Sequence, residues 1–456
     1  MKNPPPIEGA LYASEAKIYA RAASGRYASL RRYAAVALLA IYYLLPWLQW
    51  DGRPAVLLDL PSRRFHLLSV TLFPQDLFLL AVLLVVAAMT LFLFTTLAGR
   101  LWCGYACPQT VWTEAFMWME RLAEGERHQR QKLDQGRWTA KKIARKSAKH
   151  AMWAGFALLT GLTFVAYFIP ARELLHQVVQ GSLAGWPLFW ALFYGFATWG
   201  NAGFMREQVC KYMCPYARFQ SAMFDRDTLI VAYDERRGEP RKTGARRTDR
   251  PAGDCIDCTL CVQVCPTGID IRKGLQYECI ACAACVDACD SVMDRVGKPR
   301  GLVRYTSERH TQTGTARVLR PRLMGYALVW ALVLAGFSSL LLTRSPLGLD
   351  VLRDRRQLYR ELADGRIANL YTLKIANKSD DAVDLHIEAL RADGQLLELS
   401  ETQVRVAASS TESLVVGALL PAQQARGVQK IRFVLSGVNA PELRQTHDAS
   451  FIGASQ

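Results

Sequence analysis

Histidine is scarce in this chain and missing from the interior of its long apolar runs. His66, His128, His150, His176, His310, His386 and His447 all lie outside those runs or at their edges, so a bis-histidine haem inside a membrane bundle has no ligands. No C-x-x-C-H motif offers covalent haem attachment. No glycine-rich phosphate loop follows a strand and opens a helix, which leaves a nicotinamide or nucleotide site without support. The first apolar run starts only after about 30 residues and lacks a small-residue cleavage site, so no signal peptide is read at the N-terminus. Cysteine is absent from the last hundred or so residues, and a domain there must rest on its packed core without disulfides.

Cysteine elsewhere is plentiful and ordered. Of 12 cysteines, eight stand as Cys255-x2-Cys258-x2-Cys261-x3-Cys265-Pro266 and Cys279-x2-Cys282-x2-Cys285-x3-Cys289. Short gaps let three thiolates of one loop wrap three irons of a cubane, while the fourth ligand arrives from elsewhere. Zinc sites take four ligands in two pairs, a poor match to two successive runs of four. The spacing is similar to that of bacterial two-cluster ferredoxins, in which the fourth cysteine of each run serves the other cluster. That resemblance implies one 4Fe-4S cluster on Cys255, Cys258, Cys261 and Cys289, and a second on Cys279, Cys282, Cys285 and Cys265. Asp290 stands where the second run would often carry the counterpart of Pro266, which alters the local turn and not the ligand count.

Of the 456 residues 51% are hydrophobic, and they are clumped at helix length. Five segments approach the 20 or so apolar residues that cross a bilayer core of about 30 Å. They lie near 33–50, 77–98, 151–169, 187–205 and 323–342, the fourth interrupted by Gly195, Gly200 and Gly203. Arg21, Arg26, Arg31 and Arg32 precede the first, and Lys and Arg crowd the stretch 99–150, whereas 170–186 holds Arg172 alone. The positive-inside rule then puts the N-terminus, the basic loop 99–150 and the segment 206–322 in the cytoplasm, and the tail outside. Basic loops facing anionic lipid account for most of the net charge of +16, so no nucleic-acid partner is expected.

From about 366 onward short alternating runs such as NLYTLKIANKS, AVDLHIEAL and KIRFVLSG predict an antiparallel sandwich, immunoglobulin-like in layout. The fold class expected is thus a polytopic α-helical membrane protein with about five transmembrane helices, an inserted ferredoxin-like di-4Fe-4S domain and a C-terminal immunoglobulin-like β-sandwich. Its parts are a cytoplasmic segment 1–32, a membrane domain 33–205, a dicluster domain 206–322, a last span 323–343 and a periplasmic sandwich 344–456.

The other four cysteines repeat one pattern, Cys103-Gly-Tyr-Ala-Cys107-Pro108 and Cys210-Lys-Tyr-Met-Cys214-Pro215, each directly after an apolar run. Residues four apart share a helix face, and proline suits the first turn of a new helix. An internal duplication that packs the repeats together would converge four thiols near the membrane surface. Such a group suits Cu(I) or a dithiol-disulfide couple, or else fills tight turns as small buried residues. Met117, Met119, Met205 and Met213 are further soft groups nearby, more in keeping with packing.

The order of paired C-x-Y-x-C-P junctions, then CIDCTLCVQVCPTGIDIRKGLQYECIACAACVDACD, then a last span and a tail with NLYTLKIANKS resembles the cytochrome c oxidase accessory protein family, called CcoG, FixG or RdxA. The resemblance implies an inner-membrane iron-sulfur protein that reduces Cu(II) to Cu(I) for assembly of cbb3-type cytochrome c oxidase. It implies two 4Fe-4S clusters, copper as substrate, and copper-transport and oxidase assembly factors as partners, with electrons from an unidentified donor; the soft thiols of Cys103, Cys107, Cys210 and Cys214 are the expected place for the copper. A quinol-oxidising conduit to a partner reductase and a non-catalytic assembly scaffold are the alternatives.

Overall fold

The computed structural model describes residues 17–50, 52–241, 252–315, 317–354, 357–379, 381–440 and 442–453. The chain forms two compact units, one of Met1–Leu57 and Leu84–Leu334, the other of Leu58–Leu83 and Ala335–Gln456.

Three helices among the described residues are long and apolar enough to cross a membrane, Arg26–Trp47, Leu77–Ala98 and Pro321–Leu342, and not the five expected. Two of the expected spans fail for different reasons. Helix α1 is Arg26–Leu44 and α2 is Leu77–Ala98; the short α3, Leu101–Tyr105, leads to α4, Pro108–Glu124, then α5, Arg127–Gln135, and α6, Ala140–Val165. The third expected span is only the second half of α6, whose first half carries Lys141, Lys142, Arg145, Lys146 and Lys149. The fourth is broken: after α7, Ala171–Val179, α8 runs only from Gly185 to Thr198 and gives way to a π-helix, Trp199–Met205, which holds Gly200 and Gly203.

The stretch 99–150, expected as a basic loop, is folded into α3 to α6, and part of its charge is internal. Glu120 and Glu124 are fully buried on α4. Glu120 accepts from Arg130 at 3.0 Å and from Arg206 at 2.8 Å, while Lys146 and Lys149 each reach Glu124 at 3.0 Å. Burial alone would raise the Glu120 carboxyl, but the two guanidinium groups hold it below its ordinary value. Counting these cations toward lipid therefore overstates the surface charge.

Beyond α8 a second π-helix, Val209–Met213, precedes α9, Pro215–Met223. An antiparallel pair, Ile230–Tyr233 with Val303–Thr306, then brackets the two cysteine runs. Their core is Val231, Ile271, Val286, Val292, Met293, Leu302 and Val303. The helix Ala284–Arg295 gives this region its tie to α1, which has no capping side chain of its own. Asp287 supplies the cap instead, accepting from the amides of Tyr27 at 3.2 Å and Ala28 at 2.6 Å.

In the second unit one sheet has the strand order Glu398–Leu399, Ser410–Pro421, Arg366–Asn377, Leu347–Arg353, with Arg360–Glu361 also on Arg366–Asn377. The other has the order Gln403–Val406, Val383–Arg391, Val428–Gly437, Arg444–Ile452. Alternate residues Ile367, Tyr371, Leu373 and Ile375 meet Leu385, Ile387, Phe433 and Leu435 in one core. The Tyr371 ring lies 5.0 Å from that of Phe433, and its hydroxyl donates to Ser450 O at 2.9 Å. Asn369 pairs its side chain with both backbone groups of Ile452, at 2.8 and 3.0 Å. This unit also includes the hairpin Arg64–Leu67 with Val70–Leu72. Close by, the buried Asp76 accepts from Phe73 N at 3.1 Å, from Lys378 at 2.7 Å and from Arg344 at 2.5 Å.

Candidate metal centre

Two cavities divide the eight clustered cysteines between them. One is lined by Cys255, Cys258, Cys261 and Cys289 with Tyr233, Arg272 and Leu302. The other is lined by Cys265, Cys279, Cys282 and Cys285, and touches Cys261 as well. The first cavity thus draws three sulfurs from the first run and one from the second; the other draws three from the second run and Cys265 from the first, with Cys261 shared between them.

The local backbone explains how the loops wrap inward. Asp257 and Thr259, which flank Cys258, have φ of 59° and 58°; Ala281 and Ala283, which flank Cys282, have φ of 53° and 55°. Four non-glycine residues in the left-handed region are unusual, and they recur at matching positions of the two runs. Alternation of this kind turns successive amides toward one point, a nest that favours an anionic group. Burial pushes the Cys261 thiol up to about 11 and those of Cys279 and Cys289 up to about 12, and raises Cys282 and Cys285. Thiols so placed stay protonated at neutral pH unless a metal displaces the proton. Apolar walls, inward amides and four sulfurs per cavity fit a 4Fe-4S cluster in each. Arg272 at the rim of the first cavity donates to Asp270 at 2.8 Å and to Asp257, fixing the Cys258 loop. Cys258 is exposed, whereas Cys282 is buried.

From the C-x-Y-x-C-P pairs, Cys103 packs with Cys282, and Cys210 lines a small cavity together with Cys282. Cys107 and Cys214 each stand immediately before the proline that opens α4 and α9. Cys103 lies on α3 and Cys210 on the π-helix Val209–Met213. Burial pushes Cys103 up to about 12, with the nearby Cys107 adding to it, and Cys210 up to about 11; Cys107 is raised too, against hydrogen bonds from the Thr110 and Gln109 amides. Cys103 packs into an apolar cluster with Ile280, Cys282 and Cys285. The loop 277–282 is held by Arg100, which donates to Tyr277 O, by Arg31, which donates to Cys282 O at 3.3 Å, and by Tyr305, which donates to Ala281 O. The Tyr105 hydroxyl lies 3.2 Å from that of Tyr305. None of these supports is visible in the spacing of the cysteines. The single hint is that Gly104 occupies the place where the second repeat has Lys211. Among the described residues, all 12 cysteines included, no three His, Cys, Asp or Glu side chains close on a single metal ion.

The helices and paired cysteine cavities of one unit and the β-sandwich of the other define an iron-sulfur electron-transfer protein with membrane-length helices. Residues 205–308 match a family described as a 4Fe-4S dicluster domain, residues 80–124 a 4Fe-4S binding domain, and residues 337–454 the IG-like fold at the C-terminal of FixG. Protein RdxA of Cereibacter sphaeroides is 43% identical over 81% of this chain and 81% of its own length. Protein RdxB of the same organism is 39% identical over 99% of both chains, and the nitrogen fixation protein FixG of Rhizobium meliloti is 40% identical over 85% of this chain and 82% of its own. The chain belongs to the FixG/RdxA family.

Proposed function

We propose that this protein is a membrane-bound reductase that converts Cu(II) to Cu(I) for the assembly of a cbb3-type cytochrome c oxidase. The observation that carries the redox part is the sorting of eight cysteines into two quartets, Cys255, Cys258, Cys261 and Cys289 in one cavity and Cys265, Cys279, Cys282 and Cys285 in the other. These residues would hold the two clusters. When bound, a 4Fe-4S cluster supplies one-electron transfer, the stoichiometry of cupric reduction, so no hydride cofactor is required.

The chain's own contribution is position and exclusion. Val292, Leu302 and Val303 wall one cavity and Ile269, Ile271 and Ile280 the other, shielding the sulfurs other than that of Cys258 from water. The exposed Cys258 loop gives an external donor its approach, and Cys103 of the junction pairs packs against the buried Cys282. The N-terminus and cluster region would face the cytoplasm and the sandwich the periplasm, on the charge asymmetry of the chain. Copper carriers and oxidase assembly factors are the partners this reading calls for.

The test is anaerobic protein, reduced and freed of excess reductant, mixed with Cu(II) and a Cu(I)-selective chelator. Stoichiometric Cu(I) with bleaching of cluster absorbance supports the reading. Clusters that stay reduced in the presence of Cu(II) would overturn it. A chain ending before residue 343 should keep this chemistry, which a scaffold acting through its tail has no reason to possess.

A further inference from the structure

Four of the 12 cysteines line neither cluster cavity. Cys103 and Cys107 come from the first repeat, Cys210 and Cys214 from the second, and the repeats brace each other reciprocally. Gln220, fully buried on α9, accepts from Cys103 Sγ at 3.2 Å. Gln109, two residues past Cys107, donates to Asn201 O at 2.9 Å and to Arg206 O at 3.1 Å, just ahead of Cys210. Cys107 and Cys214 take the same place at two helix starts, where first-turn amides lack backbone partners. One small cavity is lined by Gln109 and Thr110, just past Cys107, together with Cys210, Ile280 and Cys282, so the two repeats meet at one place.

The count of ligands then matters. The stretch 80–124 that matches a 4Fe-4S binding domain contains two cysteines, Cys103 and Cys107. A cubane held by protein thiolates takes four. The second repeat brings the missing pair to the same place, and the 12 cysteines become three sets of four.

We propose that Cys103, Cys107, Cys210 and Cys214 together hold a third 4Fe-4S cluster, beside the loop that carries Cys279 and Cys282. Each thiol releases its proton to water as its thiolate binds iron; four ferrous ions and four sulfides, with a mild oxidant to take up two electrons, complete the resting cluster. The second and third sites touch through protein: Cys103 packs with Cys282 and Cys285, and the Gly104 backbone meets that of Ile280 and Ala281. Copper then meets the protein elsewhere. This inference rests on the iron-sulfur reading above and is independent of cupric reduction.

The full-length chain, purified anaerobically and reconstituted with ferrous iron and sulfide, is assayed for iron, acid-labile sulfide and Mössbauer spectrum. About twelve irons per chain are expected, four for each of three clusters, and about eight in a Cys103→Ser, Cys210→Ser double variant whose remaining signals are unchanged. About eight irons in the unaltered protein overturns the proposal whatever the variant does. Retention of all twelve by the double variant overturns it as well. Cupric reduction, scored on the same samples, reports on the function reading separately from the iron count.

Discussion

Gly104 lies so close to Ile280 that a Cβ built on it would fall 2.7 Å from the Ile280 carbonyl oxygen. The contact is backbone on backbone, so neither side can yield by a rotamer change. A Gly104→Val substitution must push away the loop that carries Cys279 and Cys282. The expected result is a loss of about 1–3 kcal/mol in thermal stability, typical of overpacking, with an altered EPR signal from the cluster on that loop. Unchanged spectra and melting temperature would show that the contact does not position the loop.

The crossed quartets make a spectroscopic prediction. Cys289→Ala is expected to remove the same signal as Cys255→Ala, and Cys265→Ala the same signal as Cys279→Ala, although each pair spans two runs. Loss sorted by run, with Cys289→Ala matching Cys285→Ala, would mean that each run holds its own cluster.

Asp76 sets a pH dependence for the second unit. Burial would raise its carboxyl, but hydrogen bonds from Lys378, Arg344 and the Phe73 amide hold it below the ordinary value of 3.8. The unfolded chain therefore binds this proton more readily than the folded one. Stability from this site is full above about pH 5 and falls as acid titrates the folded carboxyl below pH 4. Removing one partner of a buried ion pair costs about 3–5 kcal/mol. Asp76→Asn is thus expected to lower the melting temperature of the sandwich at pH 7, and the gap to the unaltered chain should shrink toward pH 3. A gap independent of pH would locate the effect in packing.

Asn369 stitches the two sheets by imitating a backbone partner for Ile452. Asn369→Leu leaves a buried amide and carbonyl without partners, at about 1–3 kcal/mol for each unmade bond. Hydrogen exchange of the sandwich amides in the full chain, followed through chemical denaturation, should show the loss while the iron content stays constant.

What could be read beforehand follows a physical divide. Cysteine spacing is itself chemistry, so the two runs were legible as iron-sulfur ligands, as was the alternation that buries Ile367, Tyr371, Leu373 and Ile375. The strand Leu347–Arg353 was not, because it lacks a clean alternation of burial. The count of spans failed where composition and continuity diverge: α6 joins a charged half to an apolar one, and α8 changes helix type at Trp199. Membership of residues 58–83 in the sandwich unit depends on partners such as Lys378, which lies 302 positions from Asp76. No local pattern encodes a contact at that separation. Likewise Arg31, Arg100 and Tyr305 act on backbone carbonyls of a distant loop, which leaves no trace in motif or period.

The carboxylate of Asp287 ends the open amides of α1 from 259 residues away. α1 is the first of the described helices to leave the ribosome, and its cap follows much later. At roughly 5–20 residues per second the wait is about 13–50 s. Throughout that interval the first turn frays freely, and a nascent chain halted before the second cysteine run never closes it. Completion of that run and seating of the first helix are therefore one event in the biogenesis of the protein, which gives quality control a single place to look.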